Sequence, residues 1–122
     1  MNIVLWLVQV LLALVFLMAG APKAFQYERA KAPMEWVADV PQGLVTFIGS
    51  AEMLGAVGLI LPALTGILPR LTPLAAVGLV IVMLLAGGFH VTRREYSHVV
   101  TNLVLFALAA FVAYGRFTVV PL

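Results

Sequence analysis

Four long apolar stretches set the pattern of the chain: Ile3 to Ala21, Leu44 to Pro62, Pro73 to Val91 and His98 to Gly115. Each approaches the roughly 20 residues a helix needs to cross about 30 Å of hydrocarbon, so the pattern predicts four membrane spans. The prolines, Pro22, Pro33, Pro41, Pro62, Pro69, Pro73 and Pro121, fall at or outside these ends, where they punctuate helices without kinking them. Thr72 before Pro73 reads as an N-cap followed by proline at the first helical position. The connections Ala63 to Thr72 and Thr92 to Ser97 are short, and short links make successive spans antiparallel neighbours. The expected fold is all-α, a transmembrane up-down-up-down four-helix bundle, with residues 1–122 as a single domain. The connection Pro22 to Gly43 is the long one. It mixes Lys23, Glu28, Arg29, Lys31, Glu35 and Asp39 with Phe25, Tyr27, Met34 and Trp36, a composition suited to the headgroup region.

Composition reinforces the membrane assignment. The chain is 64% hydrophobic and 10% charged, against roughly 45–50% apolar and about 25% charged for soluble domains. Its formal charge of +2 comes from few charged residues. They form no basic stripe, so nucleic acid is not an expected partner and the lipid bilayer is. The absence of cysteine removes disulfides, thiolate metal sites and thiol redox chemistry. The first apolar run ends in Ala19-Gly20-Ala21 like a secretory signal, but lacks a basic flank before Ile3, so it is expected to be a retained span. Four spans leave both termini on one side. Lys23, Arg29, Lys31, Arg93 and Arg94 then face Arg70 and Arg116 across the bilayer. Basic loops stay cytoplasmic, which predicts an inner-membrane protein with both termini outside and connections 22–43 and 92–97 inside.

Within this apolar frame the polar residues carry the candidate chemistry. Glu52 lies about 12 Å below the side of the first and third connections at the usual helical rise. A carboxylate at that depth is a functional candidate by default. Ile48, Gly49, Gly55 and Ala56 share its helix face, and three of these are small enough to admit a neighbouring helix. His90, His98, Asn102 and Lys23 lie toward the same half of the bilayer, with Ser50 at similar depth and Gln9 apart from them. His98 and Asn102 share a face with Phe106 and Ala109. Glu52 and His90 are the candidate acid–base pair, because burial moves a carboxyl group toward neutral pH. Asn102, Lys23, His98 and Arg93 are candidate ligand-binding groups. The alternative is structural: Glu52 bonded to Asn102 or to backbone, Asn102 as interhelical glue, and Lys23, Arg93 and Arg94 as snorkelling anchors around the mouth. Glu52, His90 and His98 lack HxxxH or ExxH spacing, so no metal site is predicted. Ser50 has no glycine-flanked elbow.

The segments MAGAPK, GSAEMLGAVGLILP, PRLTPLAAVGLVIVMLLAGGFH and NLVLFALAAFVAYGR, in this order, resemble the DoxX-like family of small four-helix membrane proteins. Lys23, Glu52, His90, Asn102 and Arg116 sit where that family places them. The resemblance implies the fold and, through relatives linked to thiosulfate:quinone oxidoreduction or membrane redox complexes, a quinone-like cofactor. Three functions follow as expectations. The first is a polar pocket around Glu52 that binds a lipophilic small molecule, in a subunit of a redox complex. The second is an assembly partner or chaperone whose small-residue faces meet a protein partner or a second copy of the chain. The third is an enzyme using Glu52 and His90 on a lipophilic substrate.

Overall fold

A computed structural model describes residues 1–31 and 34–122, and Pro33 lies outside the described residues. The elements are α1 (Asn2–Phe25), the short α2 (Tyr27–Ala30), a 3-10 helix (Glu35–Asp39), α3 (Gln42–Thr65), α4 (Leu71–Thr92) and α5 (Tyr96–Tyr114). A π-helical turn, Gly115–Val119, prolongs α5. Helices α1, α3 and α4, and α5 with its extension, are each long and apolar enough to cross a membrane. They pack into a four-helix bundle whose core holds Leu12, Phe16, Leu59, Leu79, Met83 and Val112. The buried positions of α1, Leu5, Gln9, Leu12, Ala13, Phe16, Gly20 and Lys23, recur at three- and four-residue spacing and form one face.

The helices overrun the predicted spans, because a helix that satisfies its own backbone groups can continue through the interface. Pro22 and Pro62, expected to end their spans, lie inside the last turns of α1 and α3. Proline gives up only its own N–H. Its carbonyl still accepts, from Gln26 N–H at 2.8 Å and from Gly66 N–H at 3.1 Å. Gly66 ends α3 at φ 73°, a left-handed conformation that glycine adopts without a Cβ clash. Thr72 is not the N-cap: α4 already starts at Leu71, and the Thr72 hydroxyl donates across to the Gly58 carbonyl at 2.9 Å. Pro73 stays harmless in the first turn.

Small residues set the helix separations. A Cβ built on Gly20 would stand 2.7 Å from the Gly49 carbonyl oxygen, and one on Gly49 would stand 2.5 Å from the Gly20 oxygen, so α1 and α3 touch backbone to backbone there. Gly55 and Gly58 of α3 receive Leu79 and Ala75 of α4, and Gly115 receives Leu5 of α1. Contacts advance along one helix as they recede along its neighbour: Gly20 meets Gly49, while Gln9 meets Leu59. The first connection also packs against the bundle itself. Its 3-10 segment buries Trp36 and Val37 with Val45, against Tyr27, Val40 and Phe89, and so covers one end of the bundle.

Candidate functional site

The covered end holds most of the protein's charge. Because α1 continues through Pro22, Lys23 falls one turn beyond Gly20 on the buried face, where the α1–α3 contact brings it to Glu52. The ammonium donates to Glu52 Oε1 at 2.6 Å, with side chains only 9% and 3% exposed. A Cβ on Gly49 would come within 2.7 Å of the Lys23 Cβ, so glycine at 49 makes room for the lysine stem. The Trp36 ring lies over the pair, 5.3 Å from Nζ. Lys23 is therefore not a snorkelling residue at the mouth, and the hydrogen-bond partner of Glu52 is Lys23 where Asn102 or His90 was expected.

His90 belongs to a second cluster beside the first. Its Nδ1–H donates to Glu95 Oε1 at 2.9 Å, its ring stacks on His98 with centroids 4.7 Å apart, and its edge meets Trp36 at 5.7 Å. Arg93 donates through Nε to the same Glu95 oxygen at 2.9 Å and through Nη2 to Asp39 at 2.8 Å. The hydrogen bond from His90, then the one from Arg93 Nε, hold the Glu95 carboxyl below its ordinary value of 4.5. A depressed carboxyl stabilises the fold above its unfolded value, and the contribution is lost as acid protonates it. Arg93 thus ties the 3-10 segment to the α4–α5 turn. Arg94 is exposed, with φ 57° in that turn. Trp36 touches both the Lys23–Glu52 pair and the His90 cluster, so the expected acid–base residues share a neighbour but have different partners.

Asn102 stands apart from both. It lines a groove of about 170 Å³ between α4 and α5 with Met83, Gly87, Gly88, Leu103 and Phe106, and its buried Nδ2 has no hydrogen-bond partner. His98 lies one helical turn away toward the surface. A second groove of about 320 Å³ runs between α3 and α4 along Ala51, Gly55, Ala75 and Gly78. Neither groove is lined by Glu52. The pocket expected around that carboxylate is neither of these two grooves, and the carboxylate there accepts from Lys23.

The DoxX-like family matches residues 7–112, a range that takes in Lys23, Glu52, His90 and Asn102. The chain belongs to the DoxX-like family. It is a multi-pass membrane protein by that membership and by its four long apolar helices. No curated protein and no solved structure matches it. In this DoxX-like protein the sequence reading missed two residues of the site. Glu95 was passed over as a loop carboxylate, although its place between Arg93 and His98 puts three basic groups within a few residues. Trp36 reads from the sequence only as part of a headgroup-suited mixture, since nothing local says that its segment packs onto the bundle.

Proposed function

We propose that this DoxX-like protein binds a lipophilic, carbonyl-bearing molecule, quinone-like by family resemblance, in the groove between α4 and α5. The observation that carries this reading is the Asn102 amide, a polar group without a hydrogen-bond partner for its buried Nδ2 in an otherwise apolar groove. An unpaired buried donor costs about 1–3 kcal/mol, so a ligand oxygen that meets the amide recovers stability. Ligand pockets usually enclose about 300–1,000 Å³. The smaller groove suits a headgroup whose tail remains among the lipids. An amide both donates and accepts, and a half-turn of its plane presents either atom, so Asn102 serves a carbonyl and a hydroxyl form alike. His98 lies one turn from Asn102 toward the surface and stacks on His90, which donates to Glu95. The Lys23–Glu52 pair anchors α1 to α3.

Solvent extraction and mass spectrometry of the detergent-purified protein test the reading. Wild type should retain a lipophilic carbonyl compound enriched over bulk lipid, and Asn102→Leu should retain about tenfold less, the equivalent of one hydrogen bond near 1.4 kcal/mol. Equal retention by both proteins would discard the groove as the binding site. The second groove favours an assembly partner instead, because Gly78 has open space where a Cβ would stand and a client helix could lie along Ala51, Gly55 and Ala75. Co-purification of a stoichiometric membrane protein with no enriched small molecule would select that reading.

In either case we place the protein in the inner membrane, with connections 22–43 and 92–97 cytoplasmic. The support is the basic bias of those connections. Thr92 and Thr118 are both exposed and the chain has no native cysteine. Cysteine at 92 should resist an impermeant thiol reagent in intact cells while cysteine at 118 labels; the opposite pattern inverts the orientation.

A further inference from the structure

Among the described residues, the other end of the bundle holds a buried cation with no counter-charge. Arg116 is 2% exposed. Its Nε donates to Gln9 Oε1 at 2.7 Å, and Nη1 donates to Asn2 Oδ1 at 2.8 Å and to the Val120 carbonyl at 3.2 Å. Every one of these acceptors is neutral. Gln9 in turn is fixed by its own donation to the Leu59 carbonyl at 2.7 Å, so it cannot swing away. Nη2 is buried and has no partner. Among the described residues, the ion pairs join Lys23, Lys31, His90 and Arg93 to Glu52, Glu28, Glu95 and Asp39, and none includes Arg116. All five acidic residues of the sequence, Glu28, Glu35, Asp39, Glu52 and Glu95, belong to the Lys23 end.

A guanidinium stays protonated at any physiological pH and presents a planar fork of donors. Buried without an opposite charge, it is costly in a membrane protein, and such residues take a partner. We propose that Arg116 is a binding site for a phosphate group of net negative charge, as in acidic lipid headgroups and free phosphate, and not for a zwitterionic headgroup whose own ammonium already balances its phosphate. The depth fits a headgroup: Asn2 and Val120 bracket the first and last membrane helices, so the outer face of the guanidinium lies at the rim of the bundle. The cover is slight. Asn2 and Pro121 are exposed, and the longest of the guanidinium hydrogen bonds is the one to Val120. Release of that turn frees Nη1 beside the unpartnered Nη2, which together match the two oxygens of a phosphate. Trp6, whose ring lies 5.7 Å from the guanidinium carbon, flanks the group, and tryptophan is a side chain suited to a membrane–water interface.

The test compares melting of the full-length protein in neutral detergent micelles doped with phosphatidylglycerol, doped with phosphatidylcholine, or supplied with inorganic phosphate. Phosphatidylglycerol should raise the melting temperature by about 5 °C, as binding to the folded state does, and phosphatidylcholine should leave it unchanged. Arg116→Gln should abolish the rise, while Lys31→Gln, a half-buried charge at the opposite end, should keep it. A rise with inorganic phosphate alone would support the site and assign it to a free anion. Equal rises with both lipids, or a phosphatidylglycerol effect that persists in Arg116→Gln, would overturn the proposal. Native mass spectrometry of the wild type covers the case in which Arg116→Gln does not fold. From an equal mixture, retained phosphatidylglycerol should exceed phosphatidylcholine about tenfold, and a ratio near one would also overturn it.

Discussion

Gly49→Ala is expected to destabilise the detergent-solubilised protein by about 3 kcal/mol, the upper part of the usual overpacking range. The added methyl would stand 2.5 Å from the Gly20 carbonyl oxygen and 2.7 Å from both the Ala24 nitrogen and the Lys23 Cβ. Two of these obstacles are backbone, and backbone in a helix cannot step aside as a side chain does. Helices α1 and α3 must therefore separate, and the Lys23–Glu52 bond stretches with them. Gly55→Leu should cost less, about 1–2 kcal/mol of the same range, because the three atoms nearest a Cβ there all belong to the Leu79 side chain, whose end can turn toward the neighbouring groove. Gly78→Ala should be close to neutral, since no atom lies within 4 Å of its Cβ position. Thermal or denaturant melts of the three variants rank the effects. Gly49→Ala melting like Gly78→Ala would mean that α1 and α3 do not meet where Gly20 and Gly49 do.

The bundle was legible because lipid imposes one requirement on every span, internal satisfaction of the backbone, and four apolar stretches of sufficient length meet it in one way. Ends were less legible. Reading Pro22 as a terminator placed Lys23 outside the helix, and that error of one turn changed its role from anchor to buried partner. The error is physical in origin: proline removes a bond to the preceding turn but not the carbonyl that supports the following one. Thr72 shows a related ambiguity. A hydroxyl beside a helix start can cap its own helix or bond a neighbour, and only the proximity of Gly58 selects the second.

The site was legible in its members and not in its pairings. Glu52, Lys23, His90, His98, Arg93 and Asn102 were identified as polar groups sharing one half of the bilayer. Helical spacing says which residues share a face, but not which face of another helix it meets. Glu52 could pair with α1 or α4, and the Gly20–Gly49 contact turns it to α1. Likewise Arg93 finds Asp39 only because the 3-10 segment folds over the bundle end, a long-range event with no periodic trace in the sequence.

Breaking the buried pair should give the other large effect. Lys23→Met is expected to cost about 3–5 kcal/mol, because it leaves the Glu52 carboxylate buried without its partner. Glu52→Gln retains the shape and an acceptor for Lys23, yet strands the ammonium without an opposite charge, and should also destabilise, by a smaller amount. The informative variant is the double change, Lys23→Met with Glu52→Gln. Removing both charges removes the stranded ion, so the double variant should be more stable than Lys23→Met alone, and the two single costs should exceed their combined cost by about 2 kcal/mol. Melts of all four proteins at one pH complete the cycle. Simple additivity would show that Lys23 and Glu52 do not interact, and the description of this end as an ion pair roofed by Trp36 would then be wrong. If instead the coupling is found and Asn102→Leu alone lowers ligand retention, the pair holds α1 against α3 while the α4–α5 groove does the binding. Conversely, loss of ligand in the folded double variant would draw Glu52 into the binding site itself.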